Sequence, residues 1–265
     1  MNDIIRPVAA ELAQFEAFFA QTMKADTEPM DSIMKYVQVS QGKRLRPVLV
    51  LLGAKIFGKI NEQTLRAATF VEMVHSATLI HDDVVDNAEQ RRDKASVKTQ
   101  FGNLSAVLAG DYLLAKSILL ISQSGDYAIL QEMLHTAAAM SEGELMQITV
   151  ADCVSQSEST TSQQNRYLDI ITRKTAMLMR SCCVAGALSV DASAEQVQQI
   201  ADFGLNFGIL FQLRDDMLDD ENTEQAKALL PSYYEKTLKA LEGFAPSEIT
   251  ESLKDLTVFC AERKE

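Results

Sequence analysis

Residues 73–92 read M-V-H-S-A-T-L-I-H-D-D-V-V-D-N-A-E-Q-R-R. They continue an apolar, helix-spaced run that opens near residue 62 and meets neither glycine nor proline. The run ends in three aspartates, Asp82, Asp83 and Asp86, followed by Arg91 and Arg92. Its apolar residues fall on more than one face, as in a helix enclosed by other helices. Asp82 and Asp86 share one face of that helix, where like charges repel. Alone, the cluster reads as a solvated helix end.

The rest of the chain has the same texture. It holds 11 glycines and 5 prolines in 265 residues, so long stretches of good helix formers go uninterrupted. The spacing predicts helices at about 5–22, 28–38, 46–57, 62–86, 103–122, 126–150, 161–189, 193–220, 223–242 and 247–262. No alternating strand pattern persists, and no linker, low-complexity tract or repeat divides the chain. The expected fold class is all-α, a single-domain bundle over 1–265.

A net charge of −12 and a pI near 4.8 argue against a general nucleic-acid binder, which needs a basic face for phosphates. No uninterrupted run of about twenty apolar residues occurs, so no membrane span is expected. The N-terminus, M-N-D-I-I-R-P-V-A-A-E-L, lacks the basic start and cleavage site of a signal peptide. Cys153, Cys182, Cys183 and Cys260 show no paired ligand spacing. They read as buried free thiols in a reducing compartment, with a cytoplasmic location expected.

The acidic pattern occurs twice. Asp215, Asp216 and Asp219 repeat the spacing of the first cluster, again at the end of an apolar run, I-L-F-Q-L-R-D-D. Two such clusters aimed into a bundle require counter-charge. Mg2+ suits them: it takes a few carboxylates, keeps some waters and bridges to substrate phosphates. Residues 42–47, G-K-R-L-R-P, gather Lys43, Arg44 and Arg46 at a helix start, where backbone N–H groups also favour an anion. With Arg91 and Arg92, these residues suit two diphosphates, one held by metal and one by basic side chains.

The motifs G-K-R-L-R-P, M-V-H-S-A-T-L-I-H-D-D-V-V-D-N-A-E-Q-R-R, A-G-D-Y-L-L, G-E-L-M-Q, R-K-T-A and F-Q-L-R-D-D-M-L-D resemble the trans-polyprenyl diphosphate synthase family. The second string is most similar to the long-chain, octaprenyl- and solanesyl-type members. The resemblance implies an isoprenoid-synthase bundle of antiparallel helices around a deep central cavity, as a homodimer. It implies metal binding by Asp82, Asp83, Asp86, Asp215, Asp216 and Asp219. It assigns Lys43, Arg46, His75 and Arg92 to isopentenyl diphosphate, and Arg91, Lys174, Thr175 and Gln212 to the allylic diphosphate. The implied reaction is head-to-tail prenyl transfer, with Lys174, Thr175 and Gln212 steadying the allylic cation.

One departure stands out. The family carries a lysine-bearing loop and further helices after its second acidic motif. Here Asp219-Asp220 runs almost directly into E-N-T-E-Q-A-K-A-L-L-P. The sequence is that of a shortened member, or of one lacking a mobile segment. Two rivals therefore stay open: a non-catalytic subunit of a heteromeric synthase, and a class I terpene cyclase. Retention of both acidic motifs and both basic sites opposes them.

Helix geometry bears on product length. Thr78, Val74 and Val71 share the face of Asp82, with Val71 roughly 16 Å down the helix. Ala77 is smaller still. Nothing large blocks that face, so a product beyond twenty carbons is expected.

Overall fold

In the computed structural model, residues 2–39, 42, 44–152, 160–220 and 223–263 are described; Lys43 and Cys153 lie outside them. The helices are α1 (Asn2–Ile5), α2 (Ala9–Thr22), α3 (Glu28–Val39), α4 (Leu45–Lys55), α5 (Glu62–Val85), α6 (Val97–Phe101), α7 (Asn103–Ser122), α8 (Tyr127–Asp152), α9 (Thr160–Ile171), α10 (Met177–Leu188), α11 (Ala194–Leu218), α12 (Thr223–Lys239) and α13 (Glu248–Glu262). The expected all-α bundle is what forms. Among the described residues, the sole sheet is a hairpin of β1 (Gln90–Arg91) and β2 (Lys94–Ala95).

Helix starts follow local chemistry. Asn61 and Ser193 each close a reciprocal capping box, with Thr64 and Gln196, and so fix where α5 and α11 begin. The helix expected over 5–22 is broken. A 3-10 turn at Arg6–Val8 separates α1 from α2, because Pro7 has no N–H to give. Arg92 and Asp93 both adopt left-handed backbone, as a two-residue hairpin loop requires.

α5 is enclosed by its neighbours: Phe70, Val71, Met73, Val74 and Ala77 are all buried in the main core. α10 lies tightly against α4. A Cβ on Gly186 would sit 2.2 Å from the Val50 carbonyl oxygen, so only glycine permits that approach. α9 and α10 form one long helix interrupted by a π turn at Thr172–Ala176. Gly143 of α8 faces this turn, where a Cβ would meet the Lys174 nitrogen at 2.8 Å. Such a bulge marks a place where a helix re-aims its side chains.

By length and composition α7 is apolar enough to cross a membrane, and one third of it is buried. Its apolar stretch is not uninterrupted, since Asp111 and Lys116 fall within it. Ala106, Ala109, Gly110 and Leu113 face the interior. Leu104, Leu108 and Leu119 are exposed, as are Leu134, Leu145 and Ile148 of the neighbouring α8.

Candidate active site

Two cavities meet at one wall. The first, about 330 Å³, is lined by Gly42, Arg44, Arg46, Glu72, His75 and Arg92, closed by Phe207, Phe211 and α13. The second, about 370 Å³, is lined by Thr78, Asp82, Glu144, Lys174 and Thr175 above an apolar floor of Met140 and Leu178. Arg46 and His75 line both.

The basic side chains of the first cavity are not equivalent. Arg44 turns away from the start of α4 through a left-handed backbone. Its guanidinium donates to Glu16 at 2.6 and 2.8 Å and to Glu72 at 2.9 Å, and it stacks on Phe15 and Phe19. Burial opposes its charge, but the two glutamates outweigh burial and raise its pKa. Arg44 therefore ties α2 to α5. Arg46 has no such anchor. Burial pulls its pKa down, and its Nε has no hydrogen-bond partner among the described residues. His75 is held well below its usual pKa by burial and by the nearby Arg46, Arg92 and Arg91 charges, so it is neutral at pH 7. The Arg92 guanidinium lies against Gly42, where a Cβ would come within 2.8 Å of Cζ. Consecutive arginines thus part ways: Arg92 turns to the cavity, while Arg91 Nε donates to Asp83 at 2.6 Å.

Both acidic motifs divide in the same manner. The middle aspartates are buried, Asp83 at 2% and Asp216 at 5% exposure. Asp83 is held by Arg91; Asp216 accepts from Tyr167 and from Gln212. Burial raises the pKa of both, and these donors oppose it. The outer members differ. Asp82, Asp86 and Asp219 enter no ion pair with a described residue. Burial, with Glu144 and Asp86 adding like charge, pushes Asp82 up to about 6. Asp215 is paired with Arg263, yet burial still raises its pKa.

Among the described residues no three carboxylate, imidazole or thiol groups form a ready-made metal cage. The donor set suits a cation that takes one or two carboxylates from each motif and completes its shell with water and phosphate, as Mg2+ does. Lys174 lies between the motifs, where its charge lowers the pKa of both Asp82 and Asp216. It pairs with Glu144 at 2.7 Å and donates to Gln147 at 3.1 Å, which gives G-E-L-M-Q a place in the site. Thr175 Oγ1 donates to Gln212 Oε1 at 2.7 Å.

Of the residues expected to line a product channel, Thr78 lines the second cavity. Val71, Val74 and Ala77 line neither cavity and are packed in the core. Spacing gave their face but could not say whether neighbouring helices close over it. Glu72, Tyr167 and Arg263 lie outside the motifs that the sequence singles out, and Glu144 lies within G-E-L-M-Q without a role of its own. Glu72, three residues before His75, was within reach of the same face argument; Arg263, far along the chain, had no local signal.

The Polyprenyl synthetase family model matches residues 27–228. Octaprenyl diphosphate synthase of Haemophilus influenzae is 33% identical over 204 residues, 77% of this chain and 60% of that protein. Heptaprenyl diphosphate synthase component 2 of Geobacillus stearothermophilus is 34% identical over 81% of this chain and 65% of its own length. The chain thus spans less than two thirds of those relatives. Among solved structures, a decaprenyl diphosphate synthase from Rhodobacter capsulatus superposes with a TM-score of 0.86 at 25% identity, covering 99% of this chain and 98% of that one. A polyprenyl synthase from Caulobacter crescentus, complexed with calcium and isoprenyl diphosphate, gives 0.89 at 24% identity, covering 100% and 98%. With two thirds or more of its length matched by the family model and by relatives above 30% identity, the chain belongs to the polyprenyl synthetase family.

Proposed function

We propose that the chain is a trans-prenyltransferase that condenses isopentenyl diphosphate head-to-tail with an allylic diphosphate, giving an all-trans product longer than twenty carbons. The observation that carries this reading is Arg46: a half-buried guanidinium whose Nε is shut off from solvent without a partner, set in the wall between two cavities. A charged group with a donor shut off from water in that state is costly unless an anion completes it.

The first cavity takes isopentenyl diphosphate on Arg46, Arg92 and neutral His75, with Lys43 assigned by its motif. The second takes the allylic diphosphate beside Lys174, with Arg91 assigned by its motif. Asp82, Asp86, Asp215 and Asp219 are the metal-binding carboxylates; Asp83 and Asp216 anchor them. Magnesium, when bound there, neutralises the diphosphate leaving group. Lys174 meets the departing negative charge, and the Thr175 oxygen, oriented by its hydrogen bond to Gln212, faces the allylic carbon as it turns cationic. Arg46 and His75 hold the isopentenyl double bond against that carbon. The new C–C bond forms, and the proton lost from the adduct passes to the departing diphosphate. Apolar side chains beneath, Leu178 and Met140, keep water from the cation.

The outward apolar surface of α7 and α8 is read as the contact with a second copy of the chain, without a membrane span. The buried thiols Cys182, Cys183 and Cys260 fit a reducing, cytoplasmic setting. A second reading, a subunit of a heteromeric synthase, draws on the name of the Geobacillus relative and on the passage from α11 to α12. Only residues 219–222 lie there, where the family resemblance implied a lysine-bearing loop and a further helix.

Steady-state kinetics test the assignment of the two cavities. Arg46→Gln raises KM for isopentenyl diphosphate more than for the allylic partner, and Lys174→Gln does the reverse. The opposite pattern overturns it, and a wild-type chain inactive alone but active with a partner subunit supports the second reading.

A further inference from the structure

The second acidic motif ends in a directional chain of hydrogen bonds. Tyr167 Oη donates to Asp216 Oδ2 at 2.5 Å, and Gln212 Nε2 donates to Asp216 Oδ1 at 2.7 Å. Thr175 Oγ1 donates to Gln212 Oε1 at 2.7 Å. Tyr167 and Asp216 are 7% and 5% exposed, so water does not compete freely for these groups.

Each link fixes the sense of the next. An ionised carboxylate can only accept, so the Gln212 amide must turn its NH2 toward Asp216. The amide oxygen is then the atom left for Thr175. Thr175 has one proton, and that proton is committed to Gln212. What Thr175 can offer to the cavity it lines, beside Asp82 and Lys174, is oxygen lone pairs. The orientation of a hydroxyl at the cavity edge is thus set two hydrogen bonds away.

We propose that Asp216, held by Tyr167, is a positioning residue: acting through Gln212, it turns the Thr175 hydroxyl so that its oxygen, not its proton, faces the carbon where the allylic cation develops. This rests on the proposed prenyl transfer and assigns Asp216 a task other than holding metal. Without Asp216 as a pure acceptor, Gln212 can present either end of its amide. Thr175 can then turn its proton toward the cation, which opposes the charge it should steady.

The test uses the full chain and three readouts. Asp216→Asn should lower kcat about 10–100-fold. KM for both diphosphates and Mn2+ affinity by calorimetry should stay within about 2-fold of wild type, as for an interaction made in the transition state. Adding Gln212→Glu to Asp216→Asn rebuilds every donor direction: the new carboxylate accepts from Thr175 and from the asparagine NH2, and the asparagine oxygen accepts from Tyr167. This pair should recover kcat to within about 3-fold of wild type. The third readout needs no turnover. An ammonium analogue of the allylic diphosphate should bind Asp216→Asn about 10-fold more weakly than wild type, while the uncharged isostere binds both alike. Loss of Mn2+ affinity in Asp216→Asn makes Asp216 a metal ligand and overturns the proposal. So does failure of the double variant to recover, or equal binding of the ammonium analogue. Wild-type chain that binds the analogue without turning over substrate points instead against the prenyl-transfer reading.

Discussion

Replacing Arg46 by methionine should make the ligand-free protein more stable and less able to bind isopentenyl diphosphate. Arg46 is half-buried, its Nε is shut off from solvent without a partner, and Glu72 and Asp215 act on it only through space. An unsatisfied buried polar group costs about 1–3 kcal/mol, and apolar replacement of a buried charge is often stabilising. Methionine keeps most of the length and volume, so little packing is lost. A gain of about 2 kcal/mol corresponds to a rise of roughly 4–8 °C in Tm for a chain of this size. The same change removes charge-assisted hydrogen bonds worth about 1.5–3 kcal/mol, or roughly 10–100-fold in affinity. Differential scanning calorimetry without metal or ligand gives the first number, and titration with isopentenyl diphosphate gives the second. A lower Tm in Arg46→Met would refute the reasoning, since Arg46 would then be satisfied within the free protein.

Asp82→Ala should abolish magnesium-dependent turnover while leaving Tm equal or higher, because it relieves repulsion with Asp86 and Glu144; near-normal turnover would remove Asp82 from the metal site. Without metal, the raised pKa of Asp82 penalises folding as pH rises from about 4 to 6, and the penalty is complete above 6. The stability gain of Asp82→Asn over wild type, measured in chelator, should therefore be larger at pH 7 than at pH 4.5. Thr78→Phe should shorten the product on chromatography of the released prenols, whereas Ala77→Phe, set in a closed core, should cost about 1–3 kcal/mol instead. The pair Leu104→Glu and Leu108→Glu should give monomers by sedimentation; an unchanged dimer would place the contact elsewhere.

Much of this architecture was legible in the sequence, and the exceptions have physical causes. α7 matches its expected bounds, 103–122, and α5 ends one residue short of its expected end. Both are long runs of good helix formers, and Asn61 caps α5. Helix propensity could not register the π turn at Thr172–Ala176, because inserting one residue in a turn leaves the composition helical. The hairpin at 90–95 has two-residue strands, too short for alternation to show. In the site, spacing alone set Asp83 beside Asp82 and Asp216 beside Asp215. Their burial against Arg91 and Tyr167 is a tertiary fact. Arg44 illustrates the same limit: three basic residues in G-K-R-L-R-P look alike in sequence, but Glu16 and Glu72, from distant helices, claim Arg44.

The central claim is tested most directly by incubating the purified chain with Mg2+, labelled isopentenyl diphosphate and farnesyl diphosphate, then separating the dephosphorylated products by length. The account predicts label in all-trans prenols beyond twenty carbons, lost in Asp82→Ala. Folded wild-type chain that binds both diphosphates yet places no label in any longer prenol would contradict it.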